Sequence, residues 1–151
     1  FAKRCQEIGI QGVILPDVPF EEKEEFDSVL SQYDVDLVSL IAPTSEDRIT
    51  EIAKDAKGFI YLVSSLGVTG VRSKITTDIG AICEKIKSIT DVPVGVGFGI
   101  STPEQAAKMA SFSDGAIVGS AIIKIIEKEG ADAPKHVGEY IKNMADAVHA
   151  L

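Results

Sequence analysis

The stretch Gly95-Val96-Gly97-Phe98-Gly99-Ile100-Ser101 decides the fold when it is combined with Gly119-Ser120-Ala121-Ile122 further along the chain. Each stretch follows a short apolar run and leads into an amphipathic segment typical of a helix. Glycine lets an anion approach the backbone closely, and the free N–H groups at a helix N-terminus favour negative charge. Two such loops in this order predict the phosphate site that (β/α)₈ barrels form after their last two strands. Glycines that serve only tight turns and close packing are the alternative.

The same alternation of short apolar runs and amphipathic segments continues over the whole chain, which predicts βα units with a parallel sheet. The apolar runs lack strict alternation, as expected of strands covered on both faces. Five strands are predicted at Gly12–Leu15, Leu37–Ala42, Phe59–Ser64, Val94–Phe98 and Ala116–Val118. Helices are predicted at Glu21–Tyr33, Glu46–Ala56, Thr77–Ile89, Pro103–Phe112, Ala121–Glu129 and Ala133–Leu151. Thr44 or Ser45 is expected to cap the second helix, and Thr102 with Pro103 to open the fourth.

A closed barrel explains this order better than an open dinucleotide-binding sheet does. The latter requires G-x-G-x-x-G after an early strand, whereas the glycines here follow the fourth strand with different spacing. We therefore predict an α/β fold of the (β/α)₈ TIM barrel type, in one domain over residues 1–151. Such barrels have eight strands in about 250 residues. We expect this chain to be a partial barrel of about five βα units, the C-terminal part, with three N-terminal strands lacking upstream of Phe1.

Composition excludes several classes of function. The 151 residues carry 15 Lys and Arg against 23 Asp and Glu, a net charge of −8 that disfavours nucleic acid and anionic lipid as partners. No apolar run is long enough to span a membrane, and no secretory signal is evident, so we expect a cytoplasmic protein. Cys5 and Cys83 have no metal-binding or redox spacing and are predicted to be reduced, buried thiols. No metal site is expected.

Catalytic groups in barrels follow the C-terminal ends of strands. Asp17 occupies such a position and could be an acid/base group, a hydroxyl anchor or an acceptor for the N–H groups of its own loop. Tyr61 could point towards the barrel mouth or pack in the core, and Phe98 could line an apolar pocket or the core. The long segment after Ser64 is a candidate lid. His136 and His149 lie in the terminal helices, away from strand ends.

At Gly67-Val68-Thr69-Gly70, preceded by Tyr61-Leu62-Val63-Ser64, the sequence resembles the α chain family of tryptophan synthase. Three further stretches resemble that family in the same order: Leu15-Pro16-Asp17-Val18-Pro19, Gly97-Phe98-Gly99-Ile100-Ser101 and Gly115-Ala116-Ile117-Val118-Gly119-Ser120-Ala121-Ile122. Together they cover nearly the whole chain. The resemblance implies strands four to eight of a (β/α)₈ barrel.

The resemblance also implies roles for single residues. Gly70, Gly99, Gly119 and Ser120 resemble the phosphate ligands of the family. Thr69 lies on the family's lid, Phe98 and Ile14 resemble residues that line the indole pocket, and Tyr61 resembles an auxiliary tyrosine that contacts the reacting region. Asp17 and Pro19 correspond to a structural segment near the interface with the partner.

The activity implied is a lyase reaction of tryptophan biosynthesis, the reversible cleavage of indole-3-glycerol phosphate to indole and glyceraldehyde 3-phosphate. The partner implied is the tryptophan synthase β chain, in an α2β2 hetero-oligomer. Pyridoxal phosphate belongs to that partner, and no cofactor is expected in this chain. The family's main acid/base pair, a Glu and an Asp, has no counterpart here, so the chain alone is expected to be inactive. Ser65-Leu66 also departs from the Arg common in the family.

Two alternatives remain open at this point. The chain could belong to another phosphate-binding barrel, such as a sugar-phosphate isomerase or epimerase, although no base for that chemistry is found. It could also be a non-catalytic half-barrel that binds phosphate ligands or associates through its open strand edges.

Overall fold

The computed structural model of the chain describes residues 1–45, 48–64, 78–97 and 99–151. Its strands are β1 (Gly12–Val13), β2 (Asp36–Leu37), β3 (Ser39–Ile41), β4 (Ile60–Val63), β5 (Val94–Gly97) and β6 (Gly115–Ile117). All pairings are parallel: β1 pairs with β2, and β3, β4, β5 and β6 form a sheet in that order. Neighbours in sequence are thus neighbours in space, as a series of βα units requires.

The segment predicted as one strand, Leu37–Ala42, is divided between two sheets. β2 pairs with β1, whereas β3 pairs with β4, and the junction lies at Val38. The backbone N–H of Val38 still donates to the carbonyl of Val13, over 2.9 Å. One extended segment therefore links both sheets, and the five predicted strands correspond to five consecutive parallel positions.

Seven α-helices occur in the described residues: α1 (Ala2–Glu7), α2 (Lys23–Leu30), α3 (Ile49–Lys54), α4 (Ile79–Lys87), α5 (Pro103–Ala110), α6 (Ser120–Glu129) and α7 (Ala133–His149). Short 3₁₀ turns flank α2 at Phe20–Glu22 and Ser31–Tyr33, and others occur at Pro43–Ser45 and Gly130–Asp132. None of the helices in the described part of the chain is long and apolar enough to cross a membrane.

Local signals set the start of two helices. The side chain of Asp78 accepts a hydrogen bond from the N–H of Ala81 and so caps α4. At α5, Thr102 and Gln105 form a reciprocal capping box, and Pro103 occupies the first turn. Both caps satisfy N–H groups that a helix cannot pair internally.

The helices cover one face of the sheet, which we call the outer face. Ile60, Leu62, Val94 and Val96 on this face are fully buried. They join one core cluster with residues of α3, α4, α5 and α7. The opposite, inner face carries Tyr61, Val63, Gly95, Gly97 and Ile117, which are brought side by side by the strand register. A ligand site within a barrel would lie on this inner side.

Candidate functional site

The two glycine loops predicted to bind phosphate lie at one edge of the sheet. Gly97 of β5 is paired with Ile117 of β6. Gly99 and Gly119 each follow their paired residue by two positions, so the parallel register brings both loops to the carboxyl ends of adjacent strands. This is the location at which α/β barrels place their sites.

The second loop presents a helix N-terminus without a side-chain cap. α6 begins at Ser120, with Gly119 as its N-cap residue, and no side chain among the described residues caps it. The Gly119 carbonyl accepts from the N–H groups of Ile122 and Ile123, at 2.9 and 3.2 Å. A Cβ built on Gly119 would meet nothing within 4 Å. Open space thus adjoins N–H donors at the positive end of a ten-residue helix, an arrangement suited to an anion.

The first loop is a turn over residues 99–102 that is held from two sides. Gln105 Oε1 accepts from the N–H groups of Ser101 and Thr102, at 2.8 and 3.2 Å, and from the Ser101 hydroxyl at 3.2 Å. The Tyr140 hydroxyl of α7 donates to the Ser101 carbonyl, at 2.9 Å. Gly99 has a φ of +76°, which favours glycine, and no atom lies within 4 Å of a Cβ built there. The turn is therefore fixed while Gly99 itself remains open.

Tyr61 stands on the inner face, directly over a glycine of the next strand. A Cβ on Gly97 would lie only 2.2 Å from the Tyr61 hydroxyl oxygen and 2.5 Å from Cζ. Burial of the half-buried ring raises the pKa of its hydroxyl, so that the group remains a neutral hydrogen-bond donor at neutral pH. Tyr61 thus lies on the face opposite the helix-covered core, and its predicted role at the barrel mouth stays a prediction.

Ile14 lies just beyond β1 and is 40% exposed, although it is a large apolar residue. A Cβ on Gly12 would contact Val38 Cγ2 at 3.4 Å, so Gly12 shares a face with Val38. The period-two alternation of extended backbone then puts Ile14 on that same side. An exposed apolar side chain here is compatible with the wall of an apolar pocket.

Asp17 and Pro19 lie in the exposed turn that leads to α2. The Pro19 carbonyl accepts from the N–H of Glu22 at 3.0 Å. Within the described ranges, no donor contacts the carboxylate of Asp17. The described residues therefore provide no N–H donor for the interpretation of Asp17 as an acceptor within its own loop. The assignment of Asp17 to an interface stays a prediction.

Three predicted site residues, Thr69, Gly70 and Phe98, lie outside the described residues. The candidate lid after Ser64 lies outside them as well. The structure therefore brings together Tyr61, Gly99, Gly119 and Ser120 at or near the carboxyl edge of the four-stranded sheet. Ile14 lies just beyond β1, which belongs to the two-stranded sheet. Among the described residues, no group of three His, Cys, Asp or Glu side chains could hold a metal ion.

An ion pair fixes the opposite end of β5. The Asp114 carboxylate accepts from the backbone N–H of Val94 at 2.8 Å and from Lys87 Nζ at 2.9 Å. Partial burial opposes its charge, but these two donors outweigh that effect and lower the pKa of the carboxyl. The pair joins α4, β5 and β6 at the end of the sheet away from the site, so its role is structural.

Sequence reasoning missed Gln105 and Tyr140 as residues of the site. The spacing of Thr102 and Gln105 is that of a capping box, a signal that could have identified Gln105. Tyr140 is 39 residues from Ser101 in a different helix, and no local pattern links the two.

Comparison with known proteins identifies the family. The family model described as tryptophan synthase alpha chain matches residues 1–150. The tryptophan synthase alpha chain of Lacticaseibacillus casei is 44% identical over 150 residues, which cover 99% of this chain and 56% of the relative. That of Lactiplantibacillus plantarum is 51% identical over 127 residues, or 83% and 48% of the two chains. This chain spans about half the length of the curated relatives it matches.

Solved structures agree with the sequence match. A Mycobacterium tuberculosis tryptophan synthase chain superposes with a TM-score of 0.83 at 32% identity, covering 98% of this chain and 55% of that one. A chain of the tryptophan synthase α2β2 complex from Pyrococcus furiosus gives a TM-score of 0.83 at 29% identity, covering 97% and 60%. With its consecutive parallel strands forming part of a TIM barrel, the chain belongs to the tryptophan synthase alpha chain family.

Proposed function

We propose that this chain supplies the phosphate- and indole-binding part of a lyase that reversibly cleaves indole-3-glycerol phosphate to indole and glyceraldehyde 3-phosphate. The observation that carries the proposal is the pair of open glycine loops, at Gly99 and Gly119, on adjacent parallel strands. No observation in the described residues favours a sugar-phosphate isomerase or epimerase.

The phosphate group binds at the N-terminus of α6. Ser120 offers both its backbone N–H and its hydroxyl, and Gly119 leaves room for phosphate oxygens because it has no side chain. The Gly99 turn adds a backbone donor from the neighbouring loop. Donors fixed by the backbone suit an anion because they need no reorganisation when it binds. Gly70, on the family's lid with Thr69, supplies a further contact in this proposal.

The indole ring binds against apolar side chains of the inner side. Ile14 and Phe98 form walls of this pocket, and the Tyr61 ring contributes an apolar surface with a polar end. The half-buried position of Tyr61 and the exposure of Ile14 support this assignment. Deep apolar walls with a few fixed donors are typical of sites for small ligands.

The cleavage requires a proton at indole C3 and removal of a proton from a glycerol hydroxyl, so two placed acid/base groups are needed. The family's pair has no counterpart in residues 1–151. We therefore propose that this chain alone binds ligand without turning it over at the normal rate. Tyr61 acts as an auxiliary donor, since its raised pKa keeps it protonated at neutral pH.

The product indole passes to a tryptophan synthase β chain, which carries the pyridoxal phosphate; this chain needs no cofactor of its own. The α2β2 assembly is proposed from the family, and the solved Pyrococcus furiosus relative is a chain of such a complex. The exposed turn at Asp17 and Pro19 contributes to the interface with the β chain. A cytoplasmic location stays a prediction.

Calorimetric titration with indole-3-propanol phosphate tests the proposal, because this analogue needs the phosphate loops and indole walls but no acid/base pair. We expect saturable binding that Gly119→Asp abolishes, since the new carboxylate would occupy open space without disturbing the fold. Gly138→Asp is the matched control: it adds the same charge at an open glycine of α7, on a different helix from the phosphate loops. Absence of binding to the wild-type chain, or equal loss in both variants, would contradict the proposal.

A further inference from the structure

The turn at residues 99–102 depends on a hydrogen bond from outside its own βα unit. The Tyr140 hydroxyl of α7 donates to the Ser101 carbonyl over 2.9 Å. The same turn is held locally by Gln105, which accepts from the N–H groups of Ser101 and Thr102. The peptide group between Ser101 and Thr102 is thus held at both ends, its carbonyl by α7 and its N–H by α5.

We propose that Tyr140 is a positioning residue of the phosphate site, which orients the Gly99 turn through the Ser101 carbonyl. The inference rests on the proposed function and adds a residue that no motif of the sequence identified. The bonds that Gln105 accepts converge on its one side-chain oxygen, and its own N–H donates to Thr102 Oγ1, so none of its bonds involves the Ser101 carbonyl. The bond from Tyr140 holds this carbonyl and so fixes the peptide group between Ser101 and Thr102 relative to α7.

Several features make Tyr140 suited to this role. Its ring packs against the core cluster, so the hydroxyl is held in place by a rigid side chain. Burial raises the pKa of that hydroxyl, which keeps the donor proton in place at neutral and mildly alkaline pH. α7 packs on both α5 and α6, the helices that follow the two phosphate loops. α7 therefore contacts the Gly99 turn through Tyr140 and also packs on α6, the helix that begins at the Gly119 loop.

The test is titration of the isotopically labelled chain with inorganic phosphate, followed by ¹⁵N–¹H NMR at Gly99 and Ser120. Tyr140→Phe removes the donor and keeps the ring. We expect its Kd for phosphate to rise about fivefold, the effect of one hydrogen bond. The shift of the Gly99 amide at saturation should shrink, while that of Ser120 should persist.

Ser113→Ala is the matched control. The Ser113 hydroxyl is buried and donates to a backbone carbonyl, that of Met109, over 2.8 Å at the far end of α5. Its loss should lower the urea midpoint of unfolding without changing the phosphate Kd. Tyr140→Met, which also lacks the hydroxyl, gives the same comparison if the phenylalanine variant does not fold.

The outcomes separate the two proposals. If phosphate moves neither Gly99 nor Ser120 in the wild-type chain, the phosphate site and this inference both fail. If the wild-type chain binds and Tyr140→Phe binds within twofold of it, the proposed function stands and the role of Tyr140 is refuted. An equal loss of affinity in Ser113→Ala would also refute it, since the effect would then follow stability alone.

Discussion

Replacement of Gly97 by alanine should destabilise the fold because Tyr61 already occupies the space of the new side chain. The added Cβ would lie 2.2 Å from the hydroxyl oxygen, 2.5 Å from Cζ and 2.7 Å from Cε1 of Tyr61. Carbon atoms in contact are normally about 3.5–4.0 Å apart, so the ring must move by about 1 Å or more. Two ring carbons and the hydroxyl oxygen attached to the ring are involved, and this rigid group has to move as a whole to relieve the overlap.

Overpacking of this kind costs about 1–3 kcal/mol. Alanine recovers part of that cost, up to about 1 kcal/mol, because it restricts the unfolded chain more than glycine does. With a gain of about 0.5 kcal/mol, we therefore expect Gly97→Ala to lower the free energy of unfolding by about 0.5–2.5 kcal/mol. Urea titration followed by far-ultraviolet circular dichroism measures this change.

Two companion variants make the test specific. Gly115→Ala lies on the same inner face, and its Cβ would meet no atom within 4 Å, so it should be neutral or slightly stabilising. In a Tyr61→Val background the ring is absent, and Gly97→Ala should lose most of its cost, which a double-mutant cycle would detect. Equal stability changes for Gly97→Ala and Gly115→Ala, or an undiminished cost in the Tyr61→Val background, would refute the reasoning.

Three further predictions concern charge, thiol reactivity and the core. The pKa of the Asp114 carboxyl is lowered in the folded chain, so the stabilisation it provides is present above about pH 4 and is lost as the pH falls further. In urea titrations from pH 6 to pH 2.5, the midpoint of unfolding should therefore decline less steeply for Asp114→Asn than for the wild-type chain. Asp146→Asn, which removes the exposed Lys142–Asp146 pair, should leave the wild-type profile unchanged. Burial raises the pKa of the Cys83 thiol to about 11, so iodoacetamide at pH 8 should leave this thiol unmodified in the folded chain. Mass spectrometry should find the modification only when urea is present. Modification of the native chain would contradict the burial of Cys83. Leu62→Ala should lower the free energy of unfolding by about 2–5 kcal/mol, because Leu62 is fully buried under the helices. Val63→Ala should lower it clearly less, because Val63 is half-buried on the inner face. Equal losses in urea titrations would show that the two faces are wrongly assigned.

Features with a local cause could be predicted from the sequence. Thr102 and Pro103 start α5 as expected, because the capping hydrogen bond joins residues three positions apart. The parallel strands were also predicted, since fully buried strands give apolar runs of a recognisable length. The residue that separates β2 from β3 was not, because the division depends on which neighbour each half pairs with.

One cap that the sequence suggests is absent. Thr44 or Ser45 is the natural candidate to cap the helix predicted from Glu46, but this prediction is wrong. Both residues lie in a 3₁₀ turn, and α3 begins later, at Ile49, with Arg48 as its N-cap residue. The Ser45 hydroxyl is instead placed to accept from the N–H of Ala42 within that turn. The N–H of Ala42 thus replaces the helix N–H groups as the donor to the Ser45 hydroxyl.

The residues of the candidate site likewise include some that local sequence patterns identify and others that they do not. Glycine loops and helix starts consist of consecutive residues, so a local sequence pattern was enough to single out Gly99, Gly119 and Ser120 as candidates. The bond from Tyr140 to the Gly99 turn and the position of Tyr61 over Gly97 instead relate residues that are far apart in sequence. Periodicity and spacing carry no information on such pairs.

The two glycines of β5 also constrain the order in which this wall can change during evolution. β5 places no side chain on the inner face; Tyr61 from one side and Ile117 from the other cover Gly95 and Gly97. A lineage that acquires a side chain at position 97 first passes through a clashing intermediate, whereas one that first shortens Tyr61 does not. We therefore expect substitutions on this surface to occur first in the flanking strands β4 and β6. The glycines of β5 can be replaced without a clash only after the side chains that cover them have become smaller.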